Sequence, residues 1–143
     1  MSTTLTDAPA RPAATYPTPA RSADDRFVPL ASGIGEVAAQ HAADHDREAS
    51  FVAEAYDAMR ERGYLALAVP EDLGGLGASL RQVCFAQAEL ARHDGATGLA
   101  SAMHQYLTLM QGYRRRAGAP DAEGVLRRIA DDGIVIATSG GSD

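Results

Sequence analysis

The sequence predicts an all-α domain of about five helices, orthogonal or bundle-like, that ends in one short strand. Three observations carry this reading. From Phe27 onward, apolar residues recur at offsets of three and four, the spacing of one helix face. Short breaks rich in Gly and Asp separate these stretches. The only β-branched run is Ile134-Val135-Ile136-Ala137, a lone strand with no partner in the chain.

The elements follow in order. Residues 1–26 hold four of the seven prolines and, beyond Met1, only Leu5 and Tyr16 as larger apolar side chains. Such a segment buries too little surface to offset its ordering entropy, so a disordered tail is expected there. A first helix places Ile34, Val37, Ala38, His41, Ala42 and His45 on one face and ends near Arg47. A second starts at Ser50 as N-cap, runs through Phe51, Val52, Ala55, Ala58 and Met59, and stops at Gly63, which takes the left-handed conformation. Residues 64–70 are too short for another full helix. The loop Glu71-Asp72-Leu73-Gly74-Gly75-Leu76-Gly77 then demands positive φ or close backbone contact. Ser79-Leu80-Arg81-Gln82 fits a capping box and opens a third helix, with Val83, Cys84, Ala88 and Ala91 on its buried side. Asp94 caps a fourth helix, 96–116, and a fifth spans 121–130 with Val125, Leu126 and Ile129 inward. The helical domain is thus 27–133, and 134–143 begins something else. The sequence stops within what reads as a functional loop, as though the chain were cut.

Composition narrows the function. The 143 residues carry 13 basic and 19 acidic side chains, a net charge of −6. That balance argues against nucleic acid as a partner, since phosphate binding needs a basic face. The single Cys84 excludes an internal disulfide and any multi-cysteine metal site, as suits a reducing cytoplasm. No run reaches the roughly 20 apolar residues of a membrane span, and no secretory signal opens the chain, so a cytoplasmic protein is expected.

Several constellations read as structural. His41 and His45 are spaced i,i+4, but without a third ligand they are half-buried structural histidines and no metal site is assigned. Gly74-Gly75-Leu76-Gly77 has neither G-x-G-x-x-G nor a P-loop Lys, and is a structural turn. Arg114-Arg115-Arg116 answers the dipole of the fourth helix. That helix is the most informative element, because no charge occurs between Gly95 and Tyr113. Leu99, Met103, Tyr106, Leu107, Met110 and Tyr113 form an apolar stripe, with Ser101, His104, Thr108 and Gln111 opposite. The uncharged polar side either packs against protein or lines a ligand cavity.

Four ordered motifs carry a resemblance: Asp46-Arg47-Glu48; Gly63-Tyr64-Leu65 leading to Val69-Pro70-Glu71-Asp72-Leu73-Gly74-Gly75-Leu76-Gly77; Glu89-Leu90-Ala91-Arg92; and Gly141-Ser142-Asp143. Together they resemble the N-terminal helical domain of the acyl-CoA dehydrogenase family, over residues 27–143. The resemblance implies a full-length enzyme in which FAD lies between a β-domain and a C-terminal bundle. There a glutamate of that bundle abstracts the α-proton of an acyl-CoA thioester and the β-hydride passes to the flavin. No catalytic residue falls in this chain. The family's T-E-P-x-A-G-S-D segment stands here as Thr138-Ser139-Gly140-Gly141-Ser142-Asp143, shorter and without Glu-Pro. The resemblance assigns Thr138 and Ser142 to the flavin, and Ala100, Ser101, His104, Thr108 and Ser142 to the acyl substrate. It implies a homo-oligomer, dimer or tetramer. The departure at Thr138 opens an alternative, a flavin-dependent monooxygenase of the same fold; a stand-alone helical interaction module is a third reading.

Overall fold

The computed structural model describes residues 22–138, and everything below concerns these. Five helices follow a short 3-10 turn at Ser22–Asp25: α1 (Val28–Glu48), α2 (Ala53–Glu61), α3 (Leu80–His93), α4 (Gly95–Arg116) and α5 (Ala122–Asp132). Two further 3-10 turns, Tyr64–Ala66 and Glu71–Leu73, lie between α2 and α3. Helix α3 packs between α1 and α4, α2 lies along α1, and α5 closes against α4. No helix among the described residues is long and apolar enough to cross a membrane.

The main core joins α1, α2, the Tyr64–Ala66 turn and α3 through Ile34, Tyr56, Met59, Tyr64, Leu65, Leu67, Val83 and Leu90. A smaller cluster of Ala66, Val69, Leu73, Leu126 and Ile129 holds α5 beneath the glycine loop. The expected caps form where short polar side chains meet orphan amides. Ser79 Oγ accepts from the Gln82 amide, the Gln82 side chain answers the Ser79 amide, and Asp94 accepts from Ala96 and Thr97. Ser79→Ala removes one half of the α3 box and is expected to cost about 1 kcal/mol, measurable as a lower urea midpoint with an unchanged slope.

Gly63 stops α2 with φ of 72°. The glycine loop is a structural turn that folds back on the segment before it. The amides of Gly75, Leu76, Gly77 and Ala78 donate to carbonyls of Pro70, Ala66, Val69 and Leu67, so none is left to cradle an anion. Gly75 passes so close to Val69 that a β-carbon would collide with its carbonyl oxygen.

Four expectations are corrected. The tail does not extend to Arg26: the Ser22–Asp25 turn docks on α3, where Arg81 Nε reaches Asp24 at 3.0 Å and Gln82 Nε2 donates to the Ala23 carbonyl at 2.6 Å. Residues 1–21, the rest of the expected tail, lie outside the described residues. Ser50 does not cap α2, which starts at Ala53 after an uncapped Val52; its hydroxyl instead meets His45 Nδ1 at 2.7 Å. On α3 the buried line is Val83, Ala86 and Leu90, whereas Cys84 is exposed, Ala88 is half-buried and Ala91 is exposed. Finally, 134–137 forms no strand. Ile134 and Ile136 pack on the smaller cluster while Val135 and Ala137 point outward, an alternation of strand type, but the ladder that would make it a strand has no second member among the described residues.

The remaining polar constellations are tied into the fold. His45 Nε2 meets Glu54 Oε2 at 2.7 Å and links α1 to α2. His41 is half-buried beside it, and no group of three side chains among the described residues is arranged to hold a metal. Arg114 grips Asp121 with two bonds of 2.9 Å, and Arg115 bridges Asp72 and Glu123, joining α4 to the glycine loop and α5.

Candidate functional site

Helix α4 and the segment leaving α5 bring most of the sequence-predicted site residues together, with the faces of α4 reversed. Most of the apolar stripe looks outward: Leu99 is 79% exposed, Tyr106 61% and Tyr113 66%, and Met103 is also exposed, whereas Met110 is half-buried and Leu107 is buried. The polar face is the interior one, with Ser101, His104, Gln105 and Thr108 all buried.

The inversion has a physical cause. Helix α4 packs on the Tyr64–Ala66 turn, whose Tyr64 carbonyl takes the Leu67 amide at 3.0 Å while the Leu65 carbonyl has no backbone partner among the described residues. Gln105 Nε2 donates to the Tyr64 carbonyl at 2.9 Å, and His104 Nε2 to the Leu65 carbonyl at 2.8 Å. A leucine at 104 would leave the Leu65 carbonyl buried and unpaired, at about 1–3 kcal/mol, and one at 105 would take away the second donor to the Tyr64 carbonyl. Ser101 Oγ donates to the Thr97 carbonyl at 2.9 Å and accepts from Gln87 Nε2 at 3.2 Å, while Thr108 Oγ1 donates to the His104 carbonyl. The Tyr56 hydroxyl reaches across from α2 to the Ala100 carbonyl at 2.9 Å.

His104 occupies the junction. A carbonyl only accepts and an amide only donates, so the neutral ring carries its proton on Nε2 and presents the Nδ1 lone pair. That lone pair accepts the Ile136 amide at 3.2 Å. Burial holds the ring below the usual histidine range, with the Leu65 carbonyl opposing. One step on, the Thr138 amide lies 3.3 Å from Met103 Sδ, so the departing chain runs along α4.

Of the predicted residues, Ala100 is exposed on the outer half of α4 and Thr138 is exposed at the end of the departing segment. Ser101, His104 and Thr108 lie behind them in the interior, each already hydrogen-bonded within the domain. Ser142 lies outside the described residues. Sequence reasoning missed Met103 as an outward residue, and Gln87 and Gln105 as the partners that make a polar interior possible. Beyond Met103, the stripe continues into a groove of about 640 Å³ bordered by Ala68, Leu80, Tyr106, Met110, Tyr113 and Arg116.

Comparison with known proteins accords with this architecture. The family model for the N-terminal domain of acyl-CoA dehydrogenase matches residues 33–133, which span α1 through α5. The chain belongs to the acyl-CoA dehydrogenase family. Among curated relatives of this acyl-CoA dehydrogenase N-terminal domain, the amino sugar nitrososynthase DnmZ of Streptomyces peucetius is 41% identical over 98 residues, covering 65% of this chain and 24% of that protein. A probable acyl-CoA dehydrogenase of Mycobacterium leprae is 36% identical over 97 residues, 68% of this chain and 24% of the relative. The L-evernosamine nitrososynthase of a Micromonospora species is 33% identical over 118 residues, 79% of this chain and 28% of the relative. The chain therefore spans about a quarter of the length of these relatives. No solved structure gives a significant match.

Proposed function

We propose that this chain is the N-terminal part of an FAD-dependent oxidoreductase of acyl-CoA dehydrogenase type, with residues 27–133 as its helical domain and 134–143 as the entry to a flavin-binding β-domain. The observation that carries the reading is the outward face of α4, where an uncharged apolar surface meets the departing chain at Met103 and Thr138. A surface of that kind beside a hydroxyl suits a small-molecule site with one polar and one apolar side.

The roles divide by position. Ala100 and Met103 form part of the wall against the acyl chain, Ala100 leaving room and Met103 adapting in shape. Ser101, His104 and Thr108 shape that wall from behind by fixing the rotation of α4. Thr138, and with it Ser142, offers hydroxyls to the flavin. The donor chemistry fits, because Thr138 is exposed and its amide is already engaged by Met103, which leaves the side chain as its outward polar group. When bound, the flavin supplies hydride acceptance. The base that removes the substrate proton belongs to another part of the full-length enzyme, and this chain alone is expected to be inactive and to purify without flavin.

A second reading, a flavin-dependent monooxygenase of the same fold, is supported by the nitrososynthases among the relatives and by the departure from T-E-P-x-A-G-S-D after Thr138. On that reading the substrate is of amino sugar type. Full-length protein reconstituted with FAD separates them. Anaerobic addition of saturated acyl-CoA thioesters is expected to bleach the oxidised flavin band within turnover time. Absence of bleaching with every chain length, together with oxygen- and reductant-dependent consumption of an amino sugar, would establish the monooxygenase in its place.

A further inference from the structure

We propose that His104 is a positioning residue: its neutral ring fixes where the chain leaves the helical domain, and protonation releases residues 134–138 from α4 while the five helices stay folded. The ring is 1% exposed and joins three elements, α4 by its own backbone, the Tyr64–Ala66 turn through Nε2, and the departing segment through Nδ1. Its two bonds require one tautomer. A second proton turns Nδ1 from acceptor to donor and sets it against the Ile136 amide, which also only donates.

The segment has little else to hold it. Among the described residues, its other polar attachment to α4 is the Thr138 amide on the Met103 thioether, a weak acceptor. Ile134 and Ile136 are only partly buried on the smaller cluster. The helices do not share this dependence, since their caps and the main core involve no ring of His104.

No charged group around the ring competes for the role. On α4 its neighbours are Ser101, Gln105 and Thr108, and the departing segment carries no ionisable side chain. From the turn comes Tyr64, whose phenol is turned to Gln87 Oε1 at 2.6 Å and is pushed up by burial. From α5 the inward residues are Ala122, Leu126 and Ile129. Burial is the first cause acting on His104 and no ion pair contributes. The sign follows: the neutral ring is favoured in the fold, so the attachment is complete above the ordinary histidine value near 6.5 and is lost as pH falls below it. The link to catalysis rests on the function proposed above, but the release itself does not.

The test is amide hydrogen exchange on the 143-residue chain between pH 8 and 5, read as protection factors so that intrinsic chemistry cancels. Protection at Ile136 is expected to fall at least tenfold over this range, with Ile34, Met59 and Leu90 unchanged. His104→Gln, which can donate to Leu65 and accept from Ile136 without titrating, is expected to keep Ile136 protected and flat with pH. His104→Phe is expected to leave Ile136 unprotected throughout. The proposal is overturned if Ile136 in the wild type is flat with pH, if the Gln variant shows the same pH dependence as the wild type, or if the core amides lose protection together with Ile136. Should the Phe variant fail to fold, the wild-type and Gln profiles decide alone.

Discussion

Ser101→Leu is expected to lower the melting temperature by about 10 °C or more, whereas Ala100→Leu, one residue away on the same helix, changes it hardly at all. Ser101 is fully buried where α4 meets α3, and its hydroxyl serves both the Thr97 carbonyl and Gln87. Leucine there overpacks the seam, at about 1–3 kcal/mol. It also strips Gln87 of one partner, leaving Nε2 on the Gly98 carbonyl alone, at about a further 1 kcal/mol. About 2–3 kcal/mol in a domain of this size corresponds to a shift of about 10 °C or more. Ala100 is exposed, so the same added bulk stays within about 0.5 kcal/mol. On the function proposed above, the order reverses for specificity in the full-length protein: Ala100→Leu is expected to cut kcat/KM for long acyl chains relative to short ones, each blocked methylene being worth about 1–3 kcal/mol. Calorimetry on both variants, with a chain-length series on the second, checks the pair. If Ser101→Leu melts with the wild type, the polar face is not the interior.

Gly75→Ala is expected to be the most damaging single methyl in the chain, at about 3 kcal/mol. Its β-carbon would meet the Val69 carbonyl and Val69 Cβ, atoms that cannot swing aside. The Val69 carbonyl also accepts the Gly77 amide at 2.9 Å, so any retreat of that backbone breaks a bond of the loop. Gly63→Ala is the comparison. Its φ of 72° disfavours a side chain, but nothing lies within 4 Å of the added carbon, so about 1 kcal/mol is expected there. Urea midpoints of the two variants should differ in that order; equal loss would mean that the close approach at Gly75 costs no more than the positive φ at Gly63.

What could be read from the residues, and what could not, divides along local against tertiary causes. The capping box at Ser79, the cap at Asp94, the left-handed Gly63 and the tight passage at Gly75 each follow from atoms within a few positions, and all four are present. The inner line of α3 is legible only at Val83, because Cys84, Ala88 and Ala91 continue a periodicity from it as good as that of Ala86 and Leu90. The orientation of α4 was hidden for a deeper reason. Periodicity reports that a helix has two faces, and the usual rule turns the apolar one inward. Here the decisive fact is a pair of carbonyls on the Tyr64–Ala66 turn, that of Leu65 without a backbone partner among the described residues, 39 and 41 residues away in sequence from the side chains that answer them. Ser50 shows the same limit, since a good cap residue was claimed by His45. Of the residues that the resemblance assigns to a site, Ala100 and Thr138 lie on the open side and Ser101, His104 and Thr108 on the inner one, a division that turns on tertiary packing.

The outward stripe on α4 also bears on how the protein is made. Residues 27–90 contain the whole main core, so a nascent chain can close that core before α4 has left the ribosome. Helix α4 then docks by its polar face, which needs only the Tyr64–Ala66 turn and α3 already in place. From that moment Leu99, Met103, Tyr106 and Tyr113 stand uncovered, with Met110 half-covered between them, along about 21 Å of helix. Each chain in synthesis thus passes through a stage in which its most adhesive surface is complete and its neighbours on the same polysome carry an identical one. A charge introduced at one of these positions is therefore expected to quieten that intermediate at the expense of the apolar face.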